Sequence, residues 1–279
     1  MKRVLAIHDI SGVGKCSLTV ALPIISACGV ECAAAPTAVL STHTGGFEGY
    51  TFRDLTDDLA PMFAHWDALG VKFDAAYSGY LGSARQIAIV EQAFSRVRDT
   101  GGVIIVDPVM ADNGTLYASF PPDFPDGMRS LCERADIILP NMTESALMLG
   151  EAYVAGPYTR EYVDGLLRRL AVLPRRVAVV TGVYFGDEQL GAAAIDRETG
   201  EISYALAPKI DGMYHGTGDV FASVFVGAYL RGLAVPRALQ IAADFTSRTV
   251  LRTKLAGTEP RYGVAFEPEL GALARELDL

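Results

Sequence analysis

The chain has 279 residues, half of them hydrophobic, with a formal net charge of −9 and a pI near 5.0. That length buries a sizeable core in one large α/β domain more readily than in two small ones. The acidic surplus is scattered, with no basic patch or tail for a nucleic acid and no apolar stretch approaching the span of a bilayer.

The N-terminus begins Met-Lys-Arg-Val-Leu-Ala-Ile, like the start of a signal peptide. His8 and Asp9 then interrupt the apolar run and a polar, Gly-rich turn follows, so residues 4–7 read as a buried first strand. Residues 33–39, 75–77, 103–106, 137–139 and 177–180 read as further strands, several of them β-branched and continuously apolar. Helix candidates lie between them at 17–28, 54–69, 84–98, 125–134, 143–149 and 160–173. This alternation implies a doubly wound, mainly parallel sheet with helices on both faces, in a single domain spanning 1–279. After Thr181 the pattern changes. Residues 192–196 and 202–207 flank Arg197-Glu198-Thr199-Gly200, which predicts a small antiparallel hairpin at the sheet edge, followed by helices at 218–230 and 236–254. Cys16, Cys28, Cys32 and Cys132 form no C-x-x-C and no paired zinc spacing, which fits unpaired thiols in a reducing cytoplasm.

In an open α/β sheet, ligands sit beyond the C-terminal ends of the strands, so the polar residues after each strand matter most. The first such segment is Asp9-Ile10-Ser11-Gly12-Val13-Gly14-Lys15-Cys16-Ser17. As a phosphate-binding P-loop it fails twice: Cys16 replaces the Mg²⁺-holding Ser/Thr, and Asp9 stands where the first Gly belongs and would repel phosphate. As a dinucleotide fingerprint it has Gly12-x-Gly14, and Glu31 at a suitable distance for a ribose, but Ser17 replaces the third small residue. A tight turn feeding the first helix is the better reading.

The strongest local signal is Gly216-Thr217-Gly218-Asp219 before an apolar helix. The glycines allow close backbone approach, and the helix N-terminus offers free N–H groups and a positive dipole end to phosphoryl oxygens. Asp219, in the first turn, is either a helix-stabilising charge or a base aimed at substrate. Asp107-Pro108-Val109-Met110 closes one strand, and Asn141 and Glu144 follow another; the latter pair is equally a capping box. Ser78-Gly79-Tyr80-Leu81-Gly82-Ser83 allows a ligand close to the backbone or forms a turn and helix cap. Ser41-Thr42-His43-Thr44-Gly45-Gly46-Phe47 could offer donors to a planar ring. His43 itself reads as a satisfied loop histidine, since phosphoryl transfer requires no histidine.

Taken together and in this order, these clusters resemble a pyridoxal kinase of the ribokinase-like superfamily across nearly the whole chain. The Asp107, Asn141–Glu144 and Gly216–Asp219 pieces mark the superfamily, and the Ser41–Gly45 and Ser78–Ser83 pieces point to its vitamin B6 branch. The resemblance implies a homodimer that moves the ATP γ-phosphoryl to the 5′-hydroxymethyl of pyridoxal, pyridoxine or pyridoxamine; the unpaired thiols place it in the cytoplasm, and the composition gives it no nucleic-acid or membrane partner. It implies Mg²⁺ as cofactor, with K⁺ a further candidate ion. By the same resemblance Asp219 is the base and Gly216, Thr217 and Gly218 form the anion hole; Asp107 and Glu144 handle Mg²⁺ and phosphates, supported by Asn141. Thr181 lies near the phosphates, Pro208, Lys209 and Ile210 beside the adenine, and Asp9, Thr44, Gly45 and Tyr80 on the substrate side. Two positions depart from the pattern. Asp9 replaces a Ser found in many pyridoxal kinases and favours a cationic or donating partner, and Thr181 stands where some relatives have Lys. A hydroxymethylpyrimidine kinase, a non-catalytic B6-binding protein and a Rossmann dehydrogenase are the alternatives. The first shares the base and anion hole, the second needs no Asp219, and the third would hold its cofactor on the N-terminal loop.

Overall fold

The computed structural model describes residues 1–279. The chain opens with β1 (Arg3–Val13), α1 (Leu18–Ala27) and β2 (Glu31–Thr42), then β3 (Phe52–Asp54), α2 (Thr56–Ala68) and β4 (Ala75–Ser78). There follow α3 (Ala84–Asp99), β5 (Val103–Val106), a short ribbon of β6 (Ala111–Asp112) and β7 (Thr115–Leu116), α4 (Phe124–Glu133) and β8 (Ile137–Ile138). After α5 (Met142–Leu149) and α6 (Arg160–Leu170) come β9 (Val177–Val183), β10 (Gln189–Asp196) and β11 (Ile202–Pro208). The chain ends in α7 (Thr217–Leu230), α8 (Val235–Ala256) and α9 (Leu270–Glu276).

Nine strands form one sheet in the order β11-β10-β9-β8-β5-β4-β1-β2-β3. The pairs from β2 through β9 are parallel; β3 at one edge and β10–β11 at the other are antiparallel. The expected edge hairpin is therefore β10–β11. Side-chain alternation along the strands divides the core in two. Val4 joins the layer under α1, α7 and α8, whereas Leu5 and Ile7 join the layer under α2 to α6. Both faces are thus covered by helices, which is why the inner strands read as unbroken apolar runs. No helix is long and apolar enough to cross a membrane, and all four cysteines are free.

Two expectations need correction. β1 and β2 extend well beyond 4–7 and 33–39, pairing as far as Ser11 with Leu40 and Val13 with Thr42. Backbone pairing carries these polar ends past the buried part of the sheet, where hydrophobicity no longer reports the strand. The tight turn expected over the whole Gly-rich segment is accordingly confined to its end, where Gly14 (φ 85°) and Ser17 (φ 52°) take left-handed conformations. The register of β1 on β2 also slips between His8 and Ile10, opposite Pro36. Proline has no N–H for the ladder and sits in sheets at such irregularities, and a bulge re-aims the neighbouring side chains. Asp9 lies at this slip.

Candidate active site

The loops beyond the C-terminal strand ends enclose a cavity of about 430 Å³. Its wall gathers eleven residues singled out in the sequence: Asp107, Asn141, Glu144, Thr181, Pro208, Lys209, Ile210 and the run Gly216 to Asp219. Each is delivered by an element of the sheet or a helix start. Asp107 follows β5 directly, its N–H bonded to the Ser78 carbonyl at 2.9 Å. Asn141 and Glu144 open α5, and Asn141 bridges to Thr181 on β9. Pro208 ends β11. Gly216 caps α7 at φ 76°, and a Cβ there would stand 2.1 Å from the Lys15 carbonyl oxygen, so only glycine fits this contact. The helix behind it is buried from Val220 to Ala228, which anchors its N-terminus against the cavity.

The capping-box reading of Asn141 and Glu144 holds in full. Asn141 Oδ1 accepts from the Glu144 N–H at 2.9 Å, and Glu144 Oε2 accepts from the Asn141 N–H at 2.8 Å. Glu144 Oε1 accepts in addition from the Met110 N–H at 3.0 Å, which ties the start of α5 to the segment after β5. The same carboxylate nevertheless faces the cavity, so cap and site coincide.

The electrostatics are unusual. Desolvation pushes Glu144 up to about 8, against the pull of its backbone N–H partners. Asp107 is driven well above the ordinary carboxylate range by burial and then by Glu144 and Asp219. Asp219, opening on the cavity but set deep in the protein, is pushed up to about 7 by desolvation. The nearby Ser17 N–H draws it down and the Asp9 charge raises it. Burial also raises Asp9, opposed by hydrogen bonds from Ser17 and Ser11, the latter's Oγ donating at 3.2 Å. No cationic side chain acts on any of these four carboxyls. Buried charge of one sign without a partner calls for ligands of the other sign.

Asp9, Thr44, Gly45 and Tyr80 lie outside the lining of this cavity. Asp9 stands close enough to raise both Asp219 and Tyr80, so these three groups share one neighbourhood. Gly45 abuts the His215 ring, while Thr44 is exposed on the loop. His43 is satisfied, as expected: its Nδ1 accepts from the Gly45 N–H at 3.0 Å and its Nε2 lies 2.6 Å from the Arg261 carbonyl. Lys15 is absent from the cavity wall and pairs with Glu267 at 2.7 Å, which removes the P-loop reading.

Sequence reasoning missed several wall residues: Asp112 and Tyr117 from the β6–β7 ribbon, His215, and Thr246, Ser247 and Val250 on α8. The two-residue strands of the ribbon are too short for any periodicity to show. The α8 residues follow Ala243 at helical spacing, a stripe that a search for small and polar residues on one helix face could have found.

A doubly wound sheet whose strand ends, glycine turn and buried carboxyls meet in one cavity defines a small-molecule kinase fold of the ribokinase-like class. The chain belongs to the phosphomethylpyrimidine kinase family, whose sequence model matches residues 21–261. Among solved structures it is similar to a pyridoxal kinase from Lactobacillus plantarum (35% identity, TM-score 0.90, covering 99% of this chain and 98% of that one). It is also similar to a Bacteroides thetaiotaomicron protein assigned to the phosphomethylpyrimidine kinases and crystallised with pyridoxal (37% identity, TM-score 0.90, 100% and 96% covered). A pyridoxal kinase from Deinococcus radiodurans is 28% identical over 243 residues, 84% of this chain and 80% of that protein.

Proposed function

We propose that this chain is an ATP-dependent vitamin B6 kinase, transferring the γ-phosphoryl group to the 5′-hydroxymethyl of pyridoxal, pyridoxine or pyridoxamine. The observation that carries this reading is the convergence, on one cavity, of the Gly216–Gly218 turn, Asp219 at its helix start, and the buried carboxyls of Asp107 and Glu144. Its support outside the site is the near-full-length similarity to a pyridoxal kinase and to a protein that binds pyridoxal.

In this reading the free N–H groups at the start of α7 hold the transferring phosphoryl group. Asp219 accepts the proton of the substrate hydroxymethyl. A base held up near 7 takes that proton more readily than an ordinary aspartate while remaining substantially ionised at neutral pH. Thr181 faces the nucleotide phosphates, and Pro208, Lys209 and Ile210 the adenine. Asp9, Thr44, Gly45 and Tyr80 form the acceptor side. The protein offers no group of three or more His, Cys, Asp or Glu that could cage a metal. The uncompensated pair Asp107 and Glu144 does fit Mg²⁺, which takes one or two carboxylates together with waters and nucleotide phosphates. When bound, that ion would neutralise phosphate charge. Asn141 keeps Glu144 in place through the capping box. The working unit in this proposal is a single domain over 1–279, acting as a cytoplasmic homodimer.

A hydroxymethylpyrimidine kinase is the second reading, favoured by the family model that the chain matches. An ATP-consumption assay across pyridoxal, pyridoxine, pyridoxamine and hydroxymethylpyrimidine separates the two. Turnover of one or more B6 compounds above the pyrimidine is expected; turnover of the pyrimidine alone would replace the first reading with the second.

A further inference from the structure

Two basic side chains stand on the cavity wall, Lys209 and His215. Lys209 is already engaged: its Nζ lies 4.6 Å from the centre of the Tyr184 ring and 3.8 Å from Asp187 Oδ1. His215 is held by packing alone. Its Nδ1 would lie 2.6 Å from a Cβ at Gly45 and its Nε2 3.7 Å from one at Gly46, so the imidazole occupies space that these glycines leave free. Its ring centre is 5.3 Å from that of His43. The neighbouring histidine has nothing left to offer a ligand. Because the Gly45 N–H donates to His43 Nδ1, the His43 proton resides on Nε2 and goes to the Arg261 carbonyl. His215 therefore stands with uncommitted nitrogens at the seam between the loop after β2, on the acceptor side, and Gly216, the first residue of the glycine turn.

We propose that His215 is a specificity-determining residue for the acceptor, donating an imidazole N–H to the ring oxygen of a 3-hydroxypyridine. This rests on the B6 reading above and sharpens it. The ring of such a compound readily carries its proton on nitrogen and leaves the 3-oxygen as a phenolate. Asp107, Asp112, Glu144 and Asp219 line the cavity and disfavour an anionic oxygen beside them; His215 is an uncommitted donor on the edge nearest the loop after β2. Asp9, on the acceptor side, offers the complementary partner for the ring N–H. The phosphoryl group needs no such side chain, because the start of α7 already supplies backbone N–H groups. A hydroxymethylpyrimidine has no equivalent oxygen and offers there only a ring nitrogen set further from His215, and a site built to bond a polar substrate group discriminates against analogues that lack it.

The test is steady-state kinetics of the full chain with pyridoxine and with 3-deoxypyridoxine, its analogue without the ring hydroxyl. In the wild type, KM for the analogue should be at least about tenfold higher. His215→Ala should raise KM for pyridoxine to the analogue's value, leave KM for the analogue and for ATP within about twofold, and be partly rescued by His215→Asn, which retains a donor. A variant that lowers kcat equally with both substrates would place His215 on the phosphoryl group and overturn the assignment. An equal rise in KM for both acceptors and ATP would mean loop damage and would overturn it too. If the variants fail to fold, the wild type alone still decides: equal KM values for the two acceptors refute the proposal while leaving the B6 reading intact. Inertness toward every B6 compound would refute both.

Discussion

Two glycine-rich segments in this chain each lead into a helix, and they do opposite jobs. The first, ending at Ser17 before α1, carries the spacing of familiar nucleotide-binding motifs. The second, Gly216 to Gly218 before α7, matches neither motif yet opens on the cavity. The structure brings them into contact: the Lys15 carbonyl fills the space beside Gly216, and the Ser17 N–H lies near enough to the Asp219 carboxylate to draw its pKa down. Gly14 serves packing as well, since a Cβ there would meet the His43 ring at 2.2 Å. Ser17 adopts φ 52° with no side-chain cap on its helix. Such strain costs about 1–3 kcal/mol and persists where the surroundings over-determine it. Here it brings the Ser17 N–H toward the candidate base. The first segment thus braces the second, and a glycine spacing by itself does not identify a phosphate site.

The largest effect of substitution is expected on the second segment. Asp219→Asn should lower kcat by at least about a hundredfold, the scale of a general base, while the fold survives. Asn is nearly isosteric and removes a buried charge, so the melting temperature should hold or rise. Near-wild-type turnover by the folded variant would show that Asp219 only complements the helix dipole.

The next effect lies on the first segment, at the β1–β2 register slip. Asp9→Ala should weaken B6 binding about tenfold, or roughly 1.4 kcal/mol, with ATP affinity unchanged. Calorimetric titration with each ligand is decisive. Equal losses for vitamin and nucleotide would reduce Asp9 to a brace for Ser11 and Ser17; no loss for either would take it out of the site.

A smaller effect should appear in stability against pH. A carboxyl whose folded pKa lies above its unfolded value binds more protons folded than unfolded. Its contribution is full below the ordinary carboxylate range and is lost as pH rises through the folded pKa. For Asp219 and Glu144 the folded values are about 7 and about 8, so the ligand-free protein should lose melting temperature as pH rises across that range. Glu144→Gln removes the titrating group and should flatten the slope; Gln can still serve at N3, but its single acceptor oxygen keeps only one of the Asn141 and Met110 N–H contacts, so a pH-independent drop in melting temperature should accompany the change. A melting temperature that climbs with pH would mean that these carboxyls are not desolvated in solution.

The least effect is expected at Lys15. With its ammonium on Glu267 and outside the cavity wall, Lys15→Ala should change ATP affinity by less than about threefold, as measured by titration. A collapse of ATP binding would restore the P-loop reading and reverse the roles of the two segments.

How much was legible follows from where each signal resides. The strand Val103–Val106 coincides with the expected one because both its faces are covered and its residues are uniformly apolar. The helix from Ala84 was equally plain, with Ser83 capping it by accepting from the Gln86 N–H. β1 was seen only as far as its apolar residues run; Ser11 and Gly12 belong to the strand through backbone pairing, which leaves no mark on residue type. The cavity wall from Asp107 to Thr181 was readable because its residues follow strands directly. The loop after β2, proposed as the acceptor side, was less so, since it is fixed by remote contacts. His43 reaches Arg261, Phe47 packs edge-on against Tyr262 at 5.4 Å, and the Arg261 guanidinium lies 5.3 Å over Phe47.

The sequence alone therefore determined the alternating α/β class, the edge hairpin and the residues that end the parallel strands, because local periodicity and turn chemistry are written in neighbouring positions. Only the tertiary structure decided that Asn141–Glu144 is cap and cavity wall at once, and that Asp107, Glu144 and Asp219 meet on one wall with Asp9 close to Asp219. It likewise decided that His215 rather than His43 keeps free nitrogens in the site. Those outcomes depend on which distant segments meet, and burial, charge coupling and hydrogen-bond commitment exist only once they do.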